Sequence, residues 1–519
     1  MRPYFIGADP SSVPAHYLHG ANMTSKKSAY ASLTKHYQKI HNFGHLGAIT
    51  GWDQAAMMPA GGNEARSNAM AELSLHIHQL STDEKLGELF DQAKDESLNA
   101  EQTASLREMQ RDWQLSTVLP EDLVTAQSLA GSKCEHAWRS QRGENDWQGF
   151  EKNWAEVVKL SQEEAQIRAE ATNTTPYDAM LNLYEPGTTS ASLDNTFNDV
   201  KTWLPDLINQ VIAKQSTEQF IAPTGTFATS KQKALGLDVM QLLKFDFNHG
   251  RLDESMHPFC GGVPQDVRIT TRYSEDEFVQ SLMGIVHETG HARYEQGLPK
   301  QLAGLPAGEA RSMGIHESQS LFFEMQVGRS EEFIAHLSRL AGQHFSDHDS
   351  ALFGQENFQK LYTRVKKDFI RVDADELTYP AHVILRYEIE RDLMNGNIKH
   401  TDVPELWDVK MQQYLGLSTK DNYKNGCMQD IHWTDGSFGY FPSYTLGAMY
   451  AAQFMTAMQQ TVDVNGAINS GDLSPIFTWL GDNIWSKASL LNTDDLVKQA
   501  TGDTLNASHF KLHLENRYL

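Results

Sequence analysis

The segment His287-Glu-Thr-Gly-His291 carries two imidazoles four residues apart with a carboxylate beside the first. On a helix, positions i and i+4 leave the same face one turn apart, so both rings can share one metal ion. Glu288 stands off that line and can act as a base toward an attacking water without itself being a ligand. Roughly 0.05 matches to this pattern are expected by chance in a chain of this composition, so the motif alone argues for metal-assisted hydrolysis. The competing reading is an exposed helix face that happens to hold two histidines, which leaves Glu288 without a task.

Catalytic zinc sites use three protein ligands and keep a fourth position open, so a third donor must come from elsewhere. Glu317, in Gly314-Ile-His-Glu-Ser-Gln-Ser320, is the first candidate. His316 competes with it, and as neighbours on one helix the two point about 100° apart. Two His and one Glu accept Zn2+ and Co2+ alike.

Positioning these groups requires two helices and a turn. Ser274-Glu-Asp-Glu277 has the form of a capping box, and Phe278, Leu282, Ile285 and Val286 follow at helical spacing. Gly297, with Pro299 beyond it, marks the end of that helix. Leu298 to Gly308 hold the Gly and Pro needed to reverse the chain, so a second helical stretch ending near Gly328 is expected antiparallel to the first. Leu193, Phe197, Val200, Leu204, Leu207 and Val211 keep to one face of another helix, and similar patterns cover about 28–48, 98–116, 147–172, 351–370 and 473–490. Asp266-Val-Arg-Ile-Thr-Thr-Arg-Tyr273 alternates, with β-branched residues, as a strand does. The expected fold is mostly α with a small β-sheet.

The 519 residues are 40% hydrophobic, and no repeat, low-complexity tract or Pro/Gly/Ser linker divides them. Residues 1–25 read as a loose N-terminal extension, and 26–519 as one large helical unit, at most two lobes around a cleft. A net charge of -23, from 67 acidic against 44 basic residues, repels nucleic acid and anionic membranes. The start of the chain has no apolar run of secretory length, and nothing approaches the roughly 20 apolar residues of a membrane span. Cys134, Cys260 and Cys427 are widely spaced, give no thiolate zinc pattern and fit a reducing compartment, so a cytoplasmic location is expected.

Several stretches then occur in a telling order: His257-Pro-Phe259, Asp266-Val-Arg-Ile-Thr270, the HETGH, His316-Glu-Ser-Gln319, Ile370-Arg-Val-Asp-Ala-Asp375 and Gly426-Cys-Met-Gln-Asp-Ile-His-Trp433. With them the chain, from about Trp52 onward, resembles the M32 family of metallocarboxypeptidases, the thermostable-carboxypeptidase group. The resemblance implies a large helical gluzincin-type metallopeptidase with a deep groove, a homodimer, and removal of single residues from peptides with a free C-terminus. It also implies Glu317 as the third metal ligand. The family usually continues Arg-Leu-Trp-Glu-Asn after Gln319-Ser320, whereas this chain has Leu321-Phe-Phe-Glu-Met325. The lost arginine bears on a local ion pair or substrate contact and not on the metal ligands.

Within that setting, His432 and Tyr440 offer an imidazole and a phenol to a developing oxyanion. Core packing within Phe438-Gly-Tyr-Phe-Pro442 competes for Tyr440, and a polar network with Gln429 and Asp430 competes for His432. An enzyme acting at C-termini must hold a carboxylate, which a guanidinium grips with two parallel hydrogen bonds. The family's Ile-Arg-x-x-Ala-Asp motif falls on Arg371, the first choice; Arg268 is expected to close the end of the groove, and Arg386 is the third candidate. His257-Pro-Phe259 reads as a structural turn. Two other readings stand beside this one. An aminopeptidase or oligopeptidase lacks support, since the nearest stretch to the Gly-x-Met-Glu-Asn amine grip is Gly447-Ala-Met-Tyr450. A catalytically silent peptide-binding protein would have no use for Glu288.

Overall fold

The helix with the least use for water is Pro442–Met458, whose sequence PSYTLGAMYAAQFMTAM contains no charged residue; it is buried almost throughout. Met313–Leu321 packs against it. Ser312 caps the start of that second helix, its Oγ accepting from the Ile315 N–H at 3.0 Å. From Leu321 the chain runs on into wider π-helical turns, Phe322–Gly328, and so ends where the sequence suggests. Val279–Gly297, the helix of the HETGH motif, packs on both of these segments.

Two glycines set how closely these backbones approach. A Cβ on Gly290 would stand 2.6 Å from the Gln319 carbonyl oxygen and 2.6 Å from Ser320 Cα. A Cβ on Gly447 would stand 2.7 Å from Glu317 Cγ and 2.8 Å from its Cβ. Any larger residue at either position forces the helices apart.

This computed structural model describes residues 28–519, so the extension expected at 1–25 lies outside the described residues. Among these, twenty α-helices accompany one three-stranded sheet, and no helix is long and apolar enough to cross a membrane. In the sheet, β1 (Gly250–Glu254) and β2 (Cys260–Val263) flank β3 (Asp266–Thr271), which runs parallel to β1 and antiparallel to β2. Only β3 shows alternation; β1 is charged and β2 is half glycine. Leu252, Val267 and Ile269 of the sheet pack on Ile285 and Ala292, which fixes the HETGH helix from its other side. His257-Pro-Phe259 joins β1 to β2, and Phe259 pairs with Thr270, accepting from its N–H at 2.9 Å and donating to its Oγ1 at 3.1 Å. A second, smaller core unites Ala29–Ala56, Lys85–Lys94 and Ala100–Thr117 with Leu302, Leu305 and Ala307.

Ala100–Thr117 and Trp147–Thr172 match their periodic stretches, and Ala29–Ala56 runs on past residue 48. Ser190–Gln215 buries the six apolar residues that announced it. Three expectations differ. Ser274 and Glu277 do not form a capping box; they pair as an isolated bridge, the helix starts at Val279 with Phe278 at its N-cap, and Glu277 Oε2 accepts from the Gln280 N–H at 3.0 Å. That tight turn lets Phe278 enter a cluster with Phe227, Phe345 and Phe353. After a 3-10 turn at Ser350–Phe353, the stretch 351–370 is α-helical only over Gln355–Tyr362. Beyond it, distant side chains draw the backbone off: the Val365, Lys366 and Arg371 N–H groups donate to Gln215, Asp375 and Gln429 at 2.9, 2.9 and 2.8 Å. The stretch 473–490 breaks after Asn483, where Trp485 turns to donate to Gln319 Oε1 at 2.8 Å.

Gly290→Ala should lower stability by about 1–3 kcal/mol, the usual cost of overpacking. Gly284→Ala in the same helix, where a Cβ meets nothing within 4 Å, should raise it by about 0.5–1 kcal/mol. Thermal unfolding of both variants checks this, and equal midpoints would remove the close-approach argument.

Candidate active site

His287 and His291 project one turn apart from the middle of Val279–Gly297, with ring centroids 5.0 Å apart. His287 Nε2 lies 4.0 Å from Glu317 Oε1, and His291 Nε2 lies 3.4 Å from Glu317 Oε2. One donor atom from each of the three falls within 4.8 Å of the other two. His316 turns elsewhere: its Nε2 is 2.8 Å from Glu295 Oε1.

A residue that sequence reasoning passed over completes this arrangement. Glu324, on the π-helical turns, places Oε2 2.8 Å from His287 Nδ1, while its Oε1 accepts from Arg329 Nη2 at 2.6 Å. A carboxylate on Nδ1 keeps one proton there, so that once the ring gives up its second proton Nε2 faces Glu317 as the lone-pair donor. The signal was present, because Glu324 stands seven residues after Glu317, on the same face of a continued helix. The departure at Leu321 is absorbed by packing: that side chain is buried in the main core, and Phe323 stacks on Phe477.

Burial opposes charge on each of these groups, and neighbours decide the outcome. Against burial, the hydrogen bond to Glu324 and the charges of Glu317 and Glu324 hold His287 up at about 10. Burial and the nearby His316 push His291 down to about 4. Burial raises the Glu288 carboxyl to about 7, with His287 opposing. Glu324 goes the other way, because Arg329 and His287 outweigh burial and bring it to about 2.

The donor set suits a divalent ion. Two imidazole Nε2 atoms and a carboxylate converge, the far nitrogen of His287 is committed to Glu324, and Glu288 Oε2 is buried with no hydrogen-bond partner. A carboxylate oxygen so placed is costly unless a cation or an ordered water stands near it.

A wall of tyrosines adjoins this cluster. Tyr379, Tyr440 and Tyr444 all feel the charge of Glu317, and burial above all keeps their phenols protonated, Tyr444 being pushed up to about 12. Tyr440 meets Tyr444 edge-on at 5.2 Å and lies parallel to the His432 ring at 5.9 Å. Burial and the charge of Arg386 lower His432 to about 4, so its imidazole is neutral, and its Nδ1 has no partner. Arg371 donates from Nη2 to Asp430 Oδ1 at 2.8 Å and from Nη1 to Tyr379 Oη at 2.7 Å, with its guanidinium over the Phe441 and Tyr444 rings. Arg386 is 1% exposed and lies behind this pair, donating to Asp430 Oδ2 at 2.7 Å and to Glu390 Oε1 at 3.0 Å. Arg268 stands on β3, gripped by both oxygens of Asp266 at 2.9 Å and stacked 4.3 Å from the Trp52 ring. The fold therefore brings the HETGH residues, Glu317, Tyr440, His432 and Arg371 into one continuous cluster, with Arg386 enclosed behind it and Arg268 on the sheet.

A family profile described as Carboxypeptidase Taq (M32) metallopeptidase matches residues 32–518. Carboxypeptidase 1 of Bacillus subtilis is 34% identical over 489 residues, covering 93% of this chain and 96% of that protein. Thermostable carboxypeptidase 1 of Thermus thermophilus is 34% identical over 505 residues, covering 95% and 98%. The solved structure of Trypanosoma cruzi metallocarboxypeptidase 1 superimposes with a TM-score of 0.92 at 46% identity, covering 94% of this chain and 99% of that one. With a shared helical fold and a match over almost all of the described residues, the chain belongs to the M32 family of metallocarboxypeptidases.

Proposed function

We propose that this metallocarboxypeptidase is zinc-dependent and releases single residues from free peptide C-termini, with His287, His291 and Glu317 as metal ligands and Glu288 as general base. The observation that carries the reading is the convergence of three donor atoms beside the buried, unpartnered oxygen of Glu288. Two imidazoles and one carboxylate leave a coordination position free for substrate, and would accept cobalt as well. When bound, the ion supplies Lewis acidity to the scissile carbonyl and to the attacking water.

The chain's own residues do the rest. Glu288 takes a proton from that water and delivers it to the leaving amine nitrogen. Tyr440 and His432, one a protonated phenol and the other a neutral imidazole, donate hydrogen bonds to the oxygen that gains charge. Arg371 binds the terminal carboxylate. Its partner Asp430 is shared with Arg386, which leaves Arg371 attraction to spare for a second anion. The enclosed Arg386 holds Asp430 in place, and Arg268 closes the far end of the groove. Gly447-Ala-Met-Tyr450 lacks the Glu-Asn of an amine grip, and its Gly447 lies against Glu317, which favours a carboxypeptidase over an amine-gripping aminopeptidase. The same reading makes the enzyme a cytoplasmic homodimer, and its acidic surface disfavours nucleic acid and anionic membranes.

Glu288→Gln should keep its metal and lose about 100- to 10,000-fold in kcat, because an amide fills the space without accepting a proton. Metal content and peptide release measured together check this; near wild-type turnover would exclude Glu288 as the base. Glu317→Ala should give up its metal to a chelator that leaves His316→Ala loaded. The reverse order would transfer the third ligand to His316. Arg371→Ala should lose about 100-fold or more in kcat/KM on free-acid peptides and little on the matched amides, with Arg371→Lys recovering part of the loss. An equal fall on acid and amide would move carboxylate recognition away from Arg371.

A further inference from the structure

The carboxylate on His287 does not sit on a regular helix. Glu324 belongs to π-helical turns, and wide turns of this kind persist only where their surroundings hold them. Two arginines do so. Arg329 donates to Glu324 Oε1 at 2.6 Å and to the Tyr362 carbonyl at 2.7 Å. Arg517, on the helix Ser508–Tyr518, donates from Nη1 to the backbone carbonyl of Met325, the residue after Glu324.

Arg517 is itself anchored. Nη1 also reaches Glu376 Oε2 at 3.0 Å, and that carboxylate, 1% exposed, accepts from Tyr518 Oη at 3.0 Å and pairs with His513. Three side chains of one helix thus converge on a single buried acid. The side chain of Arg517 is 11% exposed and that of Glu376 0%, so this is no solvated surface pair, and losing either partner strands a buried charge. None of these groups takes part in the hydrolysis.

We infer that the helix Ser508–Tyr518 supports the metal centre: Arg517, anchored by Glu376, is a positioning residue that holds the π-helical turn from which Glu324 orients His287. The inference rests on the reading of His287 as a metal ligand. If the turn relaxes, the 2.8 Å contact to Nδ1 opens, the ring is free to rotate, and Nε2 leaves the donor set.

The test compares zinc-loaded wild type with Arg517→Ala, Arg517→Lys, Glu324→Gln and the Arg517→Ala/Glu324→Gln double variant. It reads the rate of zinc transfer to a chromogenic chelator beside the thermal midpoint. Arg517→Ala should speed zinc loss by about 10- to 100-fold, the usual range for an outer partner of a ligand. Lysine should recover part of this, since its ammonium can donate to the same two oxygens but from a shorter, more flexible stem without the fixed plane of the guanidinium. In the Glu324→Gln background, Arg517→Ala should add less than about twofold, because both changes act through one carboxylate. A lowered midpoint with zinc loss within about twofold of wild type, or effects that multiply in the double variant, would overturn the inference and leave Arg517 a plain structural anchor. Should Arg517→Ala fail to fold, Arg517→Lys makes the same comparison. The site reading fails separately, if His287→Ala holds zinc as firmly as wild type.

Discussion

Glu317 reaches the two histidines only because two backbones are allowed to touch. A glutamate side chain is short, and its helix must lie almost against the HETGH helix for the carboxylate to arrive within 3.4 Å of His291. Gly290, inside the motif itself, removes the one Cβ that would prevent this, and Gly447 removes the Cβ that would press on Glu317 from behind. The uncharged helix Pro442–Met458 and the sheet then clamp the pair from either side. With the space filled to this degree, packing between the helices brings the three donor atoms within 4.8 Å of one another.

Charge is divided across the site. On one side Glu288, Glu317 and Glu324 surround two imidazoles, a surplus of carboxylate suited to a cation. On the other, Arg371 and Arg386 share Asp430 beneath a roof of aromatic rings. Under the proposed reading this polarity orients a peptide, its terminal carboxylate toward the arginines and its last peptide bond toward the metal. Because the pairs are buried, the field acts with little screening from solvent.

Where sequence and structure part, long-range contacts explain it. The apolar spacing of 351–370 is real, yet after Tyr362 the backbone amides find partners on Gln215, Asp375 and Gln429, which no local pattern reveals. Ser274 and Glu277 have the residue types of a capping box, but the demand that Phe278 enter the aromatic cluster moves the helix start past them. Arg386 reads as one arginine among several until its burial behind Asp430 is seen. Glu324 stands in the stretch that lost the arginine, and its reach to His287 depends on how the π-helical turns pack on the HETGH helix, which the local pattern does not reveal.

By itself the sequence determined the elements and the chemistry that ride on local spacing. The i, i+4 histidines with Glu288 beside the first, the amphipathic stretches and the ordered motifs all depend on neighbours within a turn or two, where geometry is nearly constant. Tertiary structure decided what depends on approach between distant segments. It set Glu317 rather than His316 facing the histidines, Glu324 behind His287, Arg371 paired to Asp430, and Arg517 on the π-helical turn. Those choices turn on ångström-scale packing between helices far apart in the chain, and spacing along a single helix carries no information about which way another helix will bring its side chains.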